Sequence, residues 1–173
     1  MTWTALSKAS GGKKMLRSEI CERLGIRYPI FQGGMAWIAD GRLAAAVSEG
    51  GGLGIIAAGN APAAYVQEQL RLARSLTQKP IGVNIMLLSP YAGEVAQVVA
   101  EERAQVVTTG AGNSAKYMES WKQAGIQVVP VVASVAMAKR MSRLGAAARI
   151  AEGGESGGQV GGLPPQALGP HVR

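Results

Sequence analysis

Glycines and amide side chains follow five short apolar runs in this 173-residue chain, and these are the places where chemistry could occur. They occupy residues 32–35 (QGGM), 57–60 (AAGN), 84–86 (NIM), 108–112 (TTGAG) and 152–159 (EGGESGGQ). Glycine has no Cβ, so backbone amides beside it can approach a flat or anionic ligand closely. One glycine-rich turn is common after a strand, but five at one edge of a sheet predict a ligand-binding site.

Other kinds of site find little support. The phosphate-loop pattern GxxxxGK[ST] is missing, and the glycine run at 50–54 precedes an apolar run, unlike a dinucleotide fingerprint. His171, the one histidine, has no second histidine or cysteine nearby, which argues against a metal site. Cys21 lacks a positioned base and is not expected to be a nucleophile. Glu101 and Glu102 end a predicted helix and are expected on its solvated face.

Alternating strands and helices would position the glycine-rich segments. Apolar runs predict six strands whose starts lie 21–28 residues apart, at residues 28–32, 53–56, 81–85, 106–109, 127–131 and 148–151. The segments between them predict five helices, at residues 41–48, 61–75, 91–102, 114–124 and 134–144.

Several helix boundaries carry their own signals. Asn60 is the predicted N-cap of the second helix, with Pro62 just inside it, and Ser134 is the predicted N-cap of the fifth. Gly125 and Gly145 fall where the fourth and fifth helices should stop.

This order of elements predicts an α/β fold with right-handed crossovers and a parallel sheet. Two architectures fit it, an open doubly wound sheet and a (β/α)₈ barrel. A complete barrel takes about 250 residues, whereas six strands here end at residue 151. A barrel would therefore be incomplete, with about six βα units and the last two missing.

Composition restricts the class of protein further. Apolar residues make up 47% of the chain and charged residues 17%, as expected for one globular domain. The net charge is +7, but the basic residues do not cluster with aromatic ones, so no nucleic-acid partner is expected. The longest nearly unbroken apolar run, at 128–138, is too short to cross a membrane. A single cysteine excludes an intrachain disulfide, and a cytoplasmic location is expected.

The ordered set of motifs resembles a known family. The FMN-dependent enoyl-[acyl-carrier-protein] reductases share a TIM-barrel superfamily with the nitronate monooxygenases, formerly called 2-nitropropane dioxygenases. The similar segments run in order between residues 18 and 161: YPIFQGGMAW (28–37), GGLG (51–54), VNIMLLSP (83–90), TTGAGN (108–113) and AEGGESGG (151–158). The third and fourth segments favour the reductase branch.

The resemblance implies a TIM (β/α)₈-type barrel with FMN across the carboxyl rim of its strands. NADH or NADPH would reduce the flavin, which would pass a hydride to an enoyl thioester. The cofactor-binding residues implied are those of the first, third and sixth loops: Gly33, Gly34, Met35, Asn84, Glu152, Gly157 and Gly158.

Two departures from the family pattern predict an impaired enzyme. Family members carry a histidine after the Gly-Gly of the sixth loop, where this chain has Gln159. An amide can hydrogen-bond a carbonyl but cannot deliver a proton near neutral pH. The phosphate of FMN would normally bind loops after the seventh and eighth strands, which the sequence lacks. We expect residues 1–17 to be a disordered or non-native leader, 18–160 a partial barrel and 161–173 an irregular tail of the kind that a frameshift produces.

Three alternatives remain open at this point. The chain could be a nitronate monooxygenase, which oxidises alkyl nitronates with O₂. It could be an inactive barrel fragment that folds poorly, or that persists only by pairing its open edge with a second copy as a homodimer. An open-sheet protein that binds a small anion is the third alternative.

Overall fold

The computed structural model describes residues 18–156 and residue 162. The predicted leader, the predicted tail apart from Gly162, and the candidate site residues Gly157, Gly158 and Gln159 lie outside the described residues.

Five parallel strands form one sheet in chain order. They are β1 (Gly54–Ala57), β2 (Ile81–Met86), β3 (Val106–Gly110), β4 (Gln127–Val132) and β5 (Ile150–Ala151). Each strand pairs with the next, so consecutive carboxyl ends lie side by side along one rim. The predicted parallel order is confirmed, and within the described residues the sheet does not close on itself.

Six α-helices accompany the strands within residues 18–156. Four connect strands, and the first two precede β1; they are α1 (Glu19–Leu24), α2 (Gly41–Glu49), α3 (Ala63–Leu76), α4 (Ala92–Glu101), α5 (Met118–Gln123) and α6 (Val135–Arg143). Helix α1 was not predicted. The predicted helix at 114–124 is divided into a short 3₁₀ helix, Ser114–Lys116, and α5.

The predicted first strand at 28–32 is reduced to a single parallel bridge between Phe31 and Leu53. Pro29 has no backbone N–H to give to a ladder. The side chain of Gln32 replaces part of that ladder, because its Oε1 accepts from the Ile55 N–H and its Nε2 donates to the Ile55 carbonyl, both at 3.2 Å. The first loop is therefore held to β1 by a side-chain amide.

The predicted helix boundaries are partly confirmed. Ser134 caps α6 by accepting a hydrogen bond from the Met137 N–H at 3.2 Å. Gly125 and Gly145 follow α5 and α6 with φ of 77° and 85°, values that favour glycine. The prediction for Asn60 was wrong, because Pro62 occupies the N-cap position of α3 and makes no side-chain cap hydrogen bond. The turn before it is closed instead by the Ala61 N–H, which donates to the Ala58 carbonyl at 2.8 Å.

The core has two main parts on opposite faces of the strands, and a third, small cluster packs α6 against β4. The larger lies between the strands and α2–α5 and includes Trp121, which is fully buried and donates its Nε1–H to the Ala96 carbonyl at 2.9 Å. The smaller packs Cys21 and Leu24 of α1 against residues at the starts of strands, such as Leu53 and Val106. Helix α1 thus closes the amino-terminal end of the interior and leaves the carboxyl end open.

Among the helices within the described residues, none combines the length and apolar character that a membrane span requires.

Candidate functional site

A cavity of about 530 Å³ lies at the carboxyl end of the sheet. Alternate strand residues line it, because successive side chains of a strand point to opposite faces. The lining is shared among all five strands and the first loop: Ile55 and Ala57 of β1, Asn84 and Met86 of β2, Thr108 and Gly110 of β3, Val131 of β4, Ile150 of β5, and Glu152, Phe31, Gly33, Gly34, Ala36 and Gly59 beside them.

Asn84 and Thr108 supply the polar contact between β2 and β3. They are register partners on adjacent strands, and the Thr108 hydroxyl donates to Oδ1 of Asn84 at 2.9 Å. This bond fixes the orientation of the amide. Within the described residues the NH₂ group of Asn84 has no hydrogen-bond partner, so it can donate to a ligand in the cavity.

Gly34 lies directly against this amide. A Cβ at position 34 would lie 2.8 Å from Cβ of Asn84 and 2.9 Å from its Nδ2, closer than side chains tolerate. At Gly33 a Cβ would meet nothing within 4 Å. The two glycines therefore differ in role: Gly34 lets the loop rest on Asn84, and Gly33 borders open space.

Gln32 holds the glycine pair in place, a positioning role that was not predicted from the sequence. Its Nε2 donates to the Gly33 carbonyl as well as to Ile55 of β1. The signal available in the sequence was its position between the apolar run and the glycines.

Glu152 borders the cavity from the end of the sheet opposite the first loop. It directly follows β5, and its backbone N–H donates to the Val132 carbonyl at 3.0 Å. Glu152 is the one ionisable side chain among the described residues that line the cavity. The surface is otherwise aliphatic, aromatic, amide and glycine, a set that suits a flat, largely neutral ring with polar edges.

Four of the predicted cofactor-binding residues, Gly33, Gly34, Asn84 and Glu152, are brought together around the cavity. Met35 is not among the lining residues, and its side chain is exposed. Its carbonyl begins a turn over residues 35–39 by accepting from the Ile38 and Ala39 N–H groups.

No group of three or more His, Cys, Asp or Glu side chains suited to a metal ion occurs within the part of the chain that the structure describes.

Parallel strands joined by helices, with a cavity over their carboxyl ends, are the arrangement in which α/β proteins generally bind their ligands. The profile of the nitronate monooxygenase family matches residues 17–102 and 89–171. The chain belongs to the nitronate monooxygenase family.

Solved structures share this fold. FabK from Thermotoga maritima is 46% identical, with a TM-score of 0.88, and the match covers 91% of this chain and 50% of that one. A nitroalkane oxidase from Streptomyces ansochromogenes is 25% identical with a TM-score of 0.80, over 90% of this chain and 57% of that one. The predicted family and the incomplete (β/α)₈-type barrel are thereby confirmed.

Curated relatives match in sequence as well. A protein of Mycobacterium tuberculosis named (3aS,4S,5R,7aS)-5-hydroxy-7a-methyl-1-oxo-octahydro-1H-indene-4-carboxyl-CoA dehydrogenase is 32% identical over 91% of this chain and 44% of its own length. The protein named "Probable nitronate monooxygenase" in Staphylococcus aureus is 28% identical over 84% of this chain and 51% of its own length. The chain spans about half the length of these relatives.

Proposed function

We propose that this chain forms part of an FMN-dependent oxidoreductase that reduces an enoyl thioester at the expense of NADH or NADPH. The observation that carries the proposal is the Gly34–Asn84–Thr108 arrangement, in which the oriented Asn84 amide, whose NH₂ group has no partner among the described residues, lies beside open space at Gly33. Such a cradle accepts the edge of a planar ring that presents hydrogen-bond acceptors.

The residues present fit the ring of FMN, whose phosphate would bind loops after the seventh and eighth strands. Gly33 and Gly34 would bring the backbone close to one part of the ring, the Asn84 amide would donate to a ring acceptor, and Glu152 would border the opposite side. When bound, FMN supplies the redox chemistry that moves a hydride from NAD(P)H to the β-carbon of the enoyl group. The chain itself would bind and orient the flavin and the substrate. Phe31 and Ile55 provide apolar walls that exclude water from the cavity.

An enoyl thioester is favoured as substrate by two similarities. FabK, at 46% identity, is an enoyl-[acyl-carrier-protein] reductase. The Mycobacterium tuberculosis relative is named for a carboxyl-CoA substrate, which is also a thioester. We further propose that Gln159 slows the reaction, because an amide cannot supply the proton that the α-carbon needs. The expected loss relative to a histidine is about 10²- to 10⁴-fold.

Flavin retention tests the proposal. The purified chain is mixed with FMN, desalted, and the flavin absorbance of the protein peak is compared with its protein content. We expect wild type to retain flavin and Gly33→Leu to lose it, because a Cβ at position 33 meets no protein atom within 4 Å and the larger side chain would occupy space beside the cavity. Both proteins should melt at similar temperatures.

Gly93→Leu is the matched control. Gly93 is exposed on α4, where a Cβ would approach only the Tyr117 hydroxyl, at 3.9 Å. This variant should retain flavin like wild type. A folded wild-type protein that retains no flavin would contradict the proposal.

Oxidation of nitronates is a second candidate function. The family profile and the Staphylococcus aureus relative favour it. The two activities are separated by adding NADH and an enoyl thioester without oxygen in one assay, and a nitronate with oxygen in another. Substrate reduction in the first assay supports the reductase, and oxygen consumption only in the second supports the alternative.

A further inference from the structure

Trp37 has a strained backbone and an exposed side chain. Its φ is 65°, in the left-handed region that bulky residues rarely adopt. Its side chain is 69% exposed, so burial in the fold does not account for it. Strain at an exposed aromatic residue points to a role in binding.

The surrounding turn imposes this conformation. The Met35 carbonyl accepts from the Ile38 and Ala39 N–H groups at 3.0 and 2.8 Å, and the Ala57 N–H of β1 donates to the Ala39 carbonyl at 2.9 Å. These bonds involve backbone atoms only. Glycine would therefore satisfy the turn at position 37 with less strain than tryptophan.

Trp37 is next to the cavity lining in the chain and contacts a partly buried aromatic ring. It follows Ala36, which lines the cavity, and its ring centroid lies 6.1 Å from that of Tyr65 in α3. Tyr65 is partly buried and packs against the larger core. The indole is thus fixed in place by a residue that belongs to the folded scaffold.

Exposed apolar side chains concentrate beside it. Of the seven large hydrophobic residues that are exposed within residues 18–156, five lie on the two loops after Phe31 and after β2: Met35, Trp37, Ile38, Leu88 and Tyr91. Both loops directly continue segments that line the cavity. The exposed apolar residues therefore lie close in the chain to the lining of the proposed substrate site.

We propose that Trp37, supported by Tyr65, is a specificity-determining residue that contacts the hydrocarbon part of an acyl thioester. The inference rests on the proposed function. The ring of the cofactor would be held deeper, at Gly33, Gly34 and Asn84, which leaves the mouth for the substrate. Of the parts of a thioester, only the hydrocarbon chain gains by leaving water against an apolar wall.

Equilibrium binding of unreactive saturated thioesters tests this. Flavin-loaded wild type, Trp37→Gly, Trp37→Phe and Leu76→Ala are titrated with butyryl-CoA, decanoyl-CoA and free CoA. Leu76 is a matched control, since it is exposed and apolar but ends α3, away from the cavity. Flavin content and melting temperature are measured for every protein.

We expect wild type to bind decanoyl-CoA more tightly than butyryl-CoA. Trp37→Gly should weaken decanoyl-CoA binding about tenfold, roughly the effect of exposing two methylene groups, and leave free CoA unchanged. Its flavin content should be normal and its melting temperature equal or higher. Trp37→Phe should keep most of the chain-length preference, and Leu76→Ala all of it.

An unchanged chain-length preference in Trp37→Gly would overturn the inference about Trp37 and leave the proposed function intact. Loss of flavin from that variant would also overturn it, by placing the indole against the cofactor. A wild-type dimer that Trp37→Gly converts to a monomer would assign the surface to a second copy of the chain. A wild type that retains flavin but binds no thioester would overturn the proposed substrate and the inference together.

Discussion

The two ends of the parallel sheet are built differently. At the amino end the buried Ser48 hydroxyl donates to the Pro80 carbonyl at 2.7 Å and accepts from the Gly54 N–H at 3.0 Å. At the carboxyl end the Asn84 NH₂ group has no partner within the described residues, and Trp37 is both strained and exposed. Ser48 thus satisfies two backbone groups at the amino end, whereas at the carboxyl end the Asn84 NH₂ group stays available among the described residues.

This difference predicts that the amino ends of the strands contribute mainly to stability and their carboxyl ends mainly to ligand binding. Changes at the amino end should lower the free energy of unfolding without a specific effect on flavin binding. Changes at the carboxyl rim should affect flavin binding with little effect on stability. Four substitutions test the separation, in order of decreasing expected effect on stability.

Gly54→Ala should cause the largest loss. Helix α2 crosses the start of β1 so closely that a Cβ at position 54 would collide with the backbone carbonyl of Ala44. We expect the free energy of unfolding to fall by about 3 kcal/mol, measured by urea denaturation. Gly33→Ala at the rim, where nothing lies within 4 Å, should leave the denaturation midpoint unchanged. Equal effects of the two changes would contradict the comparison.

Ser48→Ala should be the next most damaging. It leaves the Pro80 carbonyl and the Gly54 N–H without their partner in a buried place. The expected loss is about 1–3 kcal/mol, with flavin retention unchanged once the protein is folded. Ser75→Ala is the control, because Ser75 is exposed and bonds only to the Leu72 carbonyl of its own helix. A selective loss of flavin from Ser48→Ala would show that both ends of the sheet contribute to flavin binding, and would contradict the comparison.

The free energy of unfolding should depend on pH through Glu102, which lies at the amino end of the fold. Burial raises the pKa of this carboxyl, but hydrogen bonds from Arg71 and Gln67 and the charges of Arg71 and Arg74 outweigh it, and the pKa is lowered from 4.5. The carboxylate therefore stabilises the fold above pH 4.5, and that stability is lost as the pH falls through the lowered pKa.

Denaturation at several pH values measures this contribution. Glu102→Gln should lower stability at pH 7 by about 1–2 kcal/mol and flatten its acid dependence. Glu101→Gln should not, because Glu101 is exposed and contacts only Gln97 of its own helix. The expectation that both glutamates lie on a solvated face was therefore wrong for Glu102, which ties α4 to α3. Identical acid profiles of the two variants would exclude this role.

Thr108→Val should have the smallest effect on stability, below about 1 kcal/mol. Valine keeps the shape of the side chain and removes the hydroxyl that orients Asn84. Flavin affinity should fall several-fold, because the amide is then free to rotate. Titration with FMN measures the affinity. Wild-type affinity in Thr108→Val would show that the hydroxyl does not position the amide.

The elements that were predicted well depend on local sequence. Residues 81–85 form β2 and residues 127–131 form β4 within one residue of the expected bounds, because runs of Ile and Val between turns are sufficient to indicate a buried strand. The Ser134 cap and the stops at Gly125 and Gly145 also follow from residues within one turn of the helix.

The elements that were missed depend on distant contacts. The strand expected at 28–32 is shortened, and Gln32 completes its pairing with a segment more than 20 residues away. Glu102 looked solvated in its own helix, yet its partners lie on α3. Helix periodicity describes the face of one helix and says nothing of which charged residue a neighbouring helix presents.

The sequence by itself determined the alternation of strands and helices from β1 to β5, the family, and the glycine and amide residues that follow the strands, because short-range patterns set these. Only the tertiary structure decided that Gly34 rests on Asn84, that Thr108 orients that amide, and that Trp37 is strained beside Tyr65. Each of these is a contact between segments far apart in the chain, and such contacts exist only once the strands have been brought into register.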